Sequence, residues 1–169
     1  PAICGVDTRA LTRHLRTYGT MRGVISDAEG ISPEELVERA KRVTPLSEKN
    51  LVAEVAVRQT LAVPPPNGGG GAPSRVVIVD CGTKKGIADW LTAKGAEAVV
   101  VPFDATAGDI MALSPDGVVY SNGPGDPATL TGVVATVREL LQTGVPLLGI
   151  CLGHQVMGIA IGGRTSRLK

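Results

Sequence analysis

Aromatic residues are scarce: one Trp, two Tyr and one Phe among 169 positions. Val, Leu, Ile and Ala must therefore fill any core, and no aromatic platform is present on which bases could stack. Charge of one sign is lacking too. The formal net charge is +1 and no basic run occurs, which argues against an electrostatic nucleic-acid footprint. Long apolar runs are missing: none reaches the ~20 residues of a membrane span. No stretch has the pattern of a secretory signal peptide. The three cysteines, Cys4, Cys81 and Cys151, are odd in number, far apart and without a Cys-x-x-Cys pair. They read as reduced thiols of a cytoplasmic protein, not as a disulfide framework or a zinc site. No initiator Met opens the chain, and its last helix should feed another strand. It is therefore expected to be an interior fragment of a longer protein.

What is present is a hydrophobic content of 43%, enough for a real core, in two regions of different texture. In residues 1–62, Asp7 can cap a helix through Leu11, Leu15 and Arg16, and Gly19 ends it. Arg9, Arg13, His14 and Arg16 crowd that helix. A solvated face is the preferred account, and a contact with an acidic partner is the lesser one. Residues 21–26 have the pattern of a short strand. Ser32-Pro33-Glu34-Glu35 spells a capping box with Pro at the first helical position, and Thr44-Pro45 stops that helix. Residues 52–57 read as a strand. Residues 63–74 include four prolines, three of them consecutive, and four consecutive glycines, a composition expected of a surface linker between domains.

From Arg75 onward the run Val76-Val77-Ile78-Val79 suits a strand buried on both faces. A helix over 84–94, a strand over 98–101, a short helix over 109–113, a strand over 117–120, a helix over 131–141 and a strand over 147–150 follow. This β-α-β-α-β-α-β order implies a parallel sheet covered by helices, with ligands beyond the carboxyl ends of the strands. Three loops fall at those ends. They are Asp80-Cys81-Gly82, then Ser121-Asn122-Gly123-Pro124-Gly125-Asp126-Pro127, then Gly149-Ile150-Cys151-Leu152-Gly153-His154-Gln155.

The last has the layout of a nucleophile elbow, with Cys for Ser: strand, tight glycine-flanked turn, then a helix expected over 155–161. Gly149 and Gly153 allow close backbone approach. Cys151 would stand near a helix N-terminus, where unpaired N–H groups and the macrodipole favour the thiolate. A lone cysteine is otherwise a small buried hydrophobe. The Gly123-Pro124-Gly125 loop is otherwise a rigid turn. Their expected meeting at one sheet edge favours chemistry, with glycine N–H groups aimed at an oxyanion on a carbonyl attacked by Cys151. No dinucleotide fingerprint or P-loop is present. His154 is too close in sequence to be a convincing base and suits a structural hydrogen bond at the helix start. Asp80 reads either as an anchor for its loop or as an ordinary strand-end carboxylate. Cys4 and Cys81 read as packing residues.

Gly149-Ile-Cys-Leu-Gly-His-Gln155 together with Ser121-Asn-Gly-Pro-Gly-Asp-Pro127 resembles the class I, triad-type glutamine amidotransferases. Within them the chain is most similar to the small-subunit family of carbamoyl phosphate synthetase. Asp80-Cys-Gly-Thr-Lys-Lys-Gly-Ile87 and Val6-Asp-Thr-Arg-Ala-Leu-Thr-Arg13 carry that narrower likeness, although Cys81 stands where an aromatic is usual and Gly86 where Asn is usual. The resemblance implies a flavodoxin-like parallel-sheet amidotransferase domain. Residues 75–169 would be its first half, and residues 1–62 the end of a smaller α+β amino-terminal domain.

It further implies Cys151 as the nucleophile toward glutamine, with backbone N–H groups of Gly125 and Leu152 on the oxyanion. Gly123 and Gln155 would help place the substrate. The family's catalytic His and Glu lie in a His-x-Glu segment beyond the elbow, past the end of this chain, so the chain alone is expected to be inactive. No metal or cofactor is expected here. ATP and Mg²⁺ are implied for a large synthetase partner subunit, which would form carbamoyl phosphate for arginine and pyrimidine synthesis. The alternatives are an amidotransferase serving another synthase, or a non-catalytic regulatory subunit on the same scaffold.

Overall fold

The computed structural model describes residues 1–45, 48–66 and 73–166. The chain forms two compact units, one drawn mainly from Pro1–Glu48 and the other Lys49–Thr165. The first holds α1 (Thr8–Tyr18) and α2 (Pro33–Arg42). Asp7 caps α1 by accepting the Ala10 N–H at 2.8 Å, and Gly19 closes it with an N–H to the Leu15 carbonyl. Ser32 accepts from the Glu35 N–H at 3.2 Å. The Glu35 carboxylate turns instead to Arg39, 2.7 Å away, so only half of the expected capping box forms. The arginines of α1 are exposed, as a solvated face requires. Residues 21–26 are not a strand, because no ladder partner runs beside them among the described residues. Arg22 there donates to the carbonyls of Lys41 and Val43 at 2.6 and 3.3 Å, closing the end of α2.

The second unit begins with α3 (Val52–Val55), a single helical turn where the apolar pattern suggests a strand. Val52 is buried in the core. Then come β1 (Leu61–Val63), β2 (Arg75–Asp80), α4 (Lys85–Ala93), β3 (Glu97–Pro102), α5 (Ala107–Ala112) and β4 (Gly117–Tyr120). A 3-10 turn (Pro127–Thr129), α6 (Thr131–Leu141), β5 (Leu147–Gly149) and α7 (Leu152–Ala160) complete it. β1 and Val52 draw residues 49–63 onto the sheet, so contacts divide the chain at Lys49, earlier than the expected linker at 63–74. Residues 67–72 of that linker lie outside the described residues.

Among the described residues the strands form one sheet in the order β1-β3-β2-β4-β5. β1 runs antiparallel to β3, and the other pairings are parallel. The alternation along β2 explains its unbroken apolar run. Val77 and Val79 join Val118 and Tyr120 in a core beneath α5, α6 and α7, while Ile78 faces Val100, Val119 and Ala88 of α4. With both faces of the strand covered, Val76 to Val79 are all apolar. The four parallel strands have the flavodoxin-like order, in which the chain reverses direction between β2 and β4. A crevice opens at such a switch point beyond the strands' carboxyl ends. The loops after β2 and β4 flank it, and β5 delivers its turn from alongside β4.

Candidate active site

β5 ends at Gly149, and the Ile150 N–H still pairs with the Tyr120 carbonyl at 2.9 Å. The next residue, Cys151, has φ 52° and ψ −106°. An L-residue held there costs on the order of 1–3 kcal/mol and persists only where its surroundings enforce it. The enforcement is visible on both sides. A Cβ on Gly149 would lie 2.6 Å from the His154 nitrogen, and one on Gly153 would overlap the Tyr120 carbonyl. Only glycine lets strand and helix approach so closely. α7 starts at Leu152 rather than at 155, with exposed Cys151 as its N-cap. A glycine in the first turn disguises that start in the sequence. The Gly153 N–H donates to the Ser121 carbonyl at 3.1 Å. The Leu152 N–H, at the first helical position, has no intrahelical acceptor.

The loop after β4 lies against this turn. A Cβ on Gly123 would overlap the Cys81 carbonyl and stand 2.9 Å from Leu152 Cδ2. The glycine is thus wedged between the β2 loop and the elbow. Ser121 is fully buried. Its hydroxyl oxygen accepts the Cys81 N–H at 2.9 Å and its O–H donates to the Asn122 carbonyl at 2.8 Å. The Asn122 amide donates to the Gly82 carbonyl at 2.9 Å. Gly125 has φ 98°, a left-handed conformation suited to glycine. It faces residues 49–51, with Leu51 Cβ and the Lys49 carbonyl each 4.0 Å from where its own Cβ would be.

Asp80 resolves to one of its two readings. Its carboxylate is buried and accepts N–H bonds from Gly82 at 2.8 Å, Thr83 at 2.6 Å and Val57 at 2.7 Å. It is a loop anchor.

Residues 77–169 match the family model of class-I glutamine amidotransferases. The chain belongs to that family. Along its whole length it resembles proteins named carbamoyl phosphate synthase small chain. The one from Methanopyrus kandleri is 49% identical over 172 residues, covering 100% of this chain and 46% of the relative. The one from Thermotoga maritima is 44% identical over 168 residues, covering 99% of this chain and 41% of the relative. That of Nitratidesulfovibrio vulgaris is 45% identical over 176 residues, with coverages of 98% and 46%. The chain spans about half the length of these curated relatives.

Within this amidotransferase domain Cys151, Leu152 and Gly123 come together, and Gln155 is exposed in the first turn of α7 with its N–H on the Cys151 carbonyl at 3.1 Å. The His154 side chain is exposed and makes no hydrogen bond among the described residues, so the expected structural bond at the helix start is not formed. Cys4 is exposed and does not pack. Cys81 does. Burial, aided by the neighbouring charge of Asp80, pushes its thiol up to about 12, leaving it protonated and inert. Its small side chain shares the core with Tyr120 of β4. Among the described residues no cluster of His, Cys, Asp or Glu suits a metal ion, and no helix is long and apolar enough to cross a membrane.

Two contributors escape the sequence reading. Ser121 opens a motif whose glycines draw the eye, yet it is the buried serine that ties three loops. Residues 51–57 are mostly apolar, with Glu54 exposed, and their part is played by the Val57 backbone N–H.

Proposed function

We propose that this chain is the glutaminase portion of a carbamoyl phosphate synthase small chain. The observation that carries the proposal is Cys151, exposed at a strained turn on the N-terminus of α7, with Gly123 packed against the adjacent Leu152. The relatives' name supports the choice of carbamoyl phosphate synthase among the enzymes such a domain could serve.

In this mechanism the Cys151 sulfur attacks the side-chain amide carbon of glutamine. The C–O π electrons move onto oxygen, and the backbone N–H groups of Leu152 and Gly125 stabilise that oxyanion. Gly153 is already engaged with Ser121, which leaves Leu152 as the donor at the helix end. Collapse of the intermediate breaks the C–N bond, and a proton delivered to the nitrogen releases ammonia and leaves a γ-glutamyl thioester. Water cleaves the thioester to glutamate and returns the thiol. Gly123 and Gln155 place the substrate. The proton is handled by a histidine–glutamate pair outside this chain. Ammonia passes to a large synthetase subunit, which uses ATP, Mg²⁺ and bicarbonate to make carbamoyl phosphate for arginine and pyrimidine synthesis. This chain contributes no cofactor. The protein acts in the cytoplasm.

The test is ammonia release from glutamine by the full-length gene product, with peptide mass mapping after treatment with a glutamine chloroketone. The expected adduct is on Cys151, and Cys151→Ala abolishes both adduct and ammonia. An adduct elsewhere, or undiminished ammonia from the variant, overturns the assignment.

A further inference from the structure

Residues 51–57 lead into the sheet from one side, and several of their contacts reach the loops of the switch-point crevice. Val52 is sunk in the core. Leu51 stands beside Gly125, and Val55 Cγ2 lies 3.1 Å from where a Cβ on Gly82 would be. The Val57 N–H ends on Asp80 Oδ2 at 2.7 Å. The other oxygen of that carboxylate holds the N–H groups of Gly82 and Thr83. From Gly82 the packing continues inward. A Cβ there would meet Pro124 Cδ at 3.0 Å and Gly123 Cα at 3.3 Å, and Gly123 abuts Leu152. A continuous run of hydrogen bonds and close contacts thus leads from Val57 through Asp80 to the glycine loop and the elbow.

We propose that Asp80 is a positioning residue for the glutamine pocket, and that residues 51–57 form a strap which the Asp80 carboxylate ties to the pocket wall. The idea rests on the glutaminase reading above. Asp80 touches neither substrate nor Cys151. It fixes the β2 loop on which Gly123 and Pro124 bear, while the strap backs Gly125 directly. A carboxylate suits the task because all three of its partners are N–H donors, and an ionised acid is an acceptor at both oxygens. Asn in its place would set an NH₂ group against at least one N–H.

The test uses the full-length gene product with two substitutions that cut the tie from opposite ends. Asp80→Asn spoils the acceptor. Val57→Pro removes the donor, and Ala56, with φ −70° and ψ 153°, already has the extended backbone that a following proline demands. Val57→Ala, which trims the side chain and keeps the N–H, is the reference for the proline variant. Two reagents are compared at Cys151. A glutamine chloroketone needs the pocket wall, whereas iodoacetamide needs only the sulfur. Both cutting variants are expected to slow chloroketone labelling at least tenfold and raise the KM for glutamine similarly, with iodoacetamide labelling within twofold of the reference. Chloroketone rates equal to the references overturn the positioning role. So does a parallel fall with both reagents, which marks a general loss of structure. A parent protein that the chloroketone does not label at Cys151 overturns the glutaminase reading, and this proposal with it.

Discussion

The Gly153 N–H donates to the Ser121 carbonyl at 3.1 Å, and this bond joins the turn bearing Cys151 to the glycine loop after β4. It exists only because residue 153 has no side chain. A methyl group there would overlap the Tyr120 carbonyl, a backbone atom of a central strand that cannot move aside. Gly153→Ala should therefore cost about 3 kcal/mol or more, at the upper end of overpacking changes, and should abolish chloroketone labelling of Cys151. Gly158 lies one turn further along α7, and a Cβ there meets nothing within 4 Å. Gly158→Ala should instead stabilise by roughly 0.5–1 kcal/mol through helix propensity. Urea unfolding of the two variants checks the contrast. Two losses of equal size would show that α7 tolerates no added methyl anywhere.

How far these features can be read from sequence depends on the kind of interaction. The buried strands announce themselves: Val76-Val77-Ile78-Val79 has no polar position because both faces are covered, and β4 and α6 have the bounds their patterns predict. β1 does not, since three residues at a half-exposed edge carry no period. Residues 52–57 mislead because three valines among six residues have the composition of a strand, while the segment opens as a single helical turn. The elbow is legible from its glycine spacing. The Asp80 tie is not, because its partner is a backbone N–H 23 residues away, and any residue but proline supplies one.

Cys81 makes stability depend on alkaline pH. Its folded thiol, buried and beside Asp80, is raised from 9.0 to about 12. Below about pH 9 the folded and unfolded chains both keep this proton, and the contribution is fully present. Between 9 and 12 only the unfolded chain ionises, so stability falls as pH rises. Tyr120, raised by burial and then by the neighbouring Cys81, acts in the same direction at somewhat higher pH. The urea midpoint should drop between pH 9 and 11, and Cys81→Ala should flatten part of that drop. At pH 8 iodoacetamide should modify exposed Cys4 and Cys151 in the folded chain, and Cys81 only after unfolding. Rapid modification of Cys81 in the native protein would contradict its burial.

The Tyr120 hydroxyl is buried without a hydrogen-bond partner among the described residues. Such a group loses its water on folding and gains nothing in return, at about 1–3 kcal/mol. Tyr120→Phe keeps the ring that fills the space beside Cys81 and deletes the orphan oxygen. It should stabilise by about 1 kcal/mol, a rise of roughly 2–4 °C in Tm, and shrink the alkaline loss further. A lower Tm would mean that the hydroxyl has a partner in solution.

Arg138 of α6 holds the other end of the elbow helix. Its Nε donates to the Ala160 carbonyl at 3.1 Å and a terminal nitrogen reaches the Ile159 carbonyl at 3.5 Å. Both carbonyls belong to the last turn of α7, that of Ile159 also accepting the Gly162 N–H at 3.0 Å, and a cation there complements the helix dipole. Arg138→Gln should cost about 1 kcal/mol in urea unfolding. Hydrogen exchange should quicken in the last turn of α7 and hardly change at Ile150 and Gly153, whose N–H groups are held by β4 and the Ser121 loop. If exchange quickened equally at both ends, the helix would be anchored as a single unit through Arg138. The loop contacts of Gly153 would then be secondary.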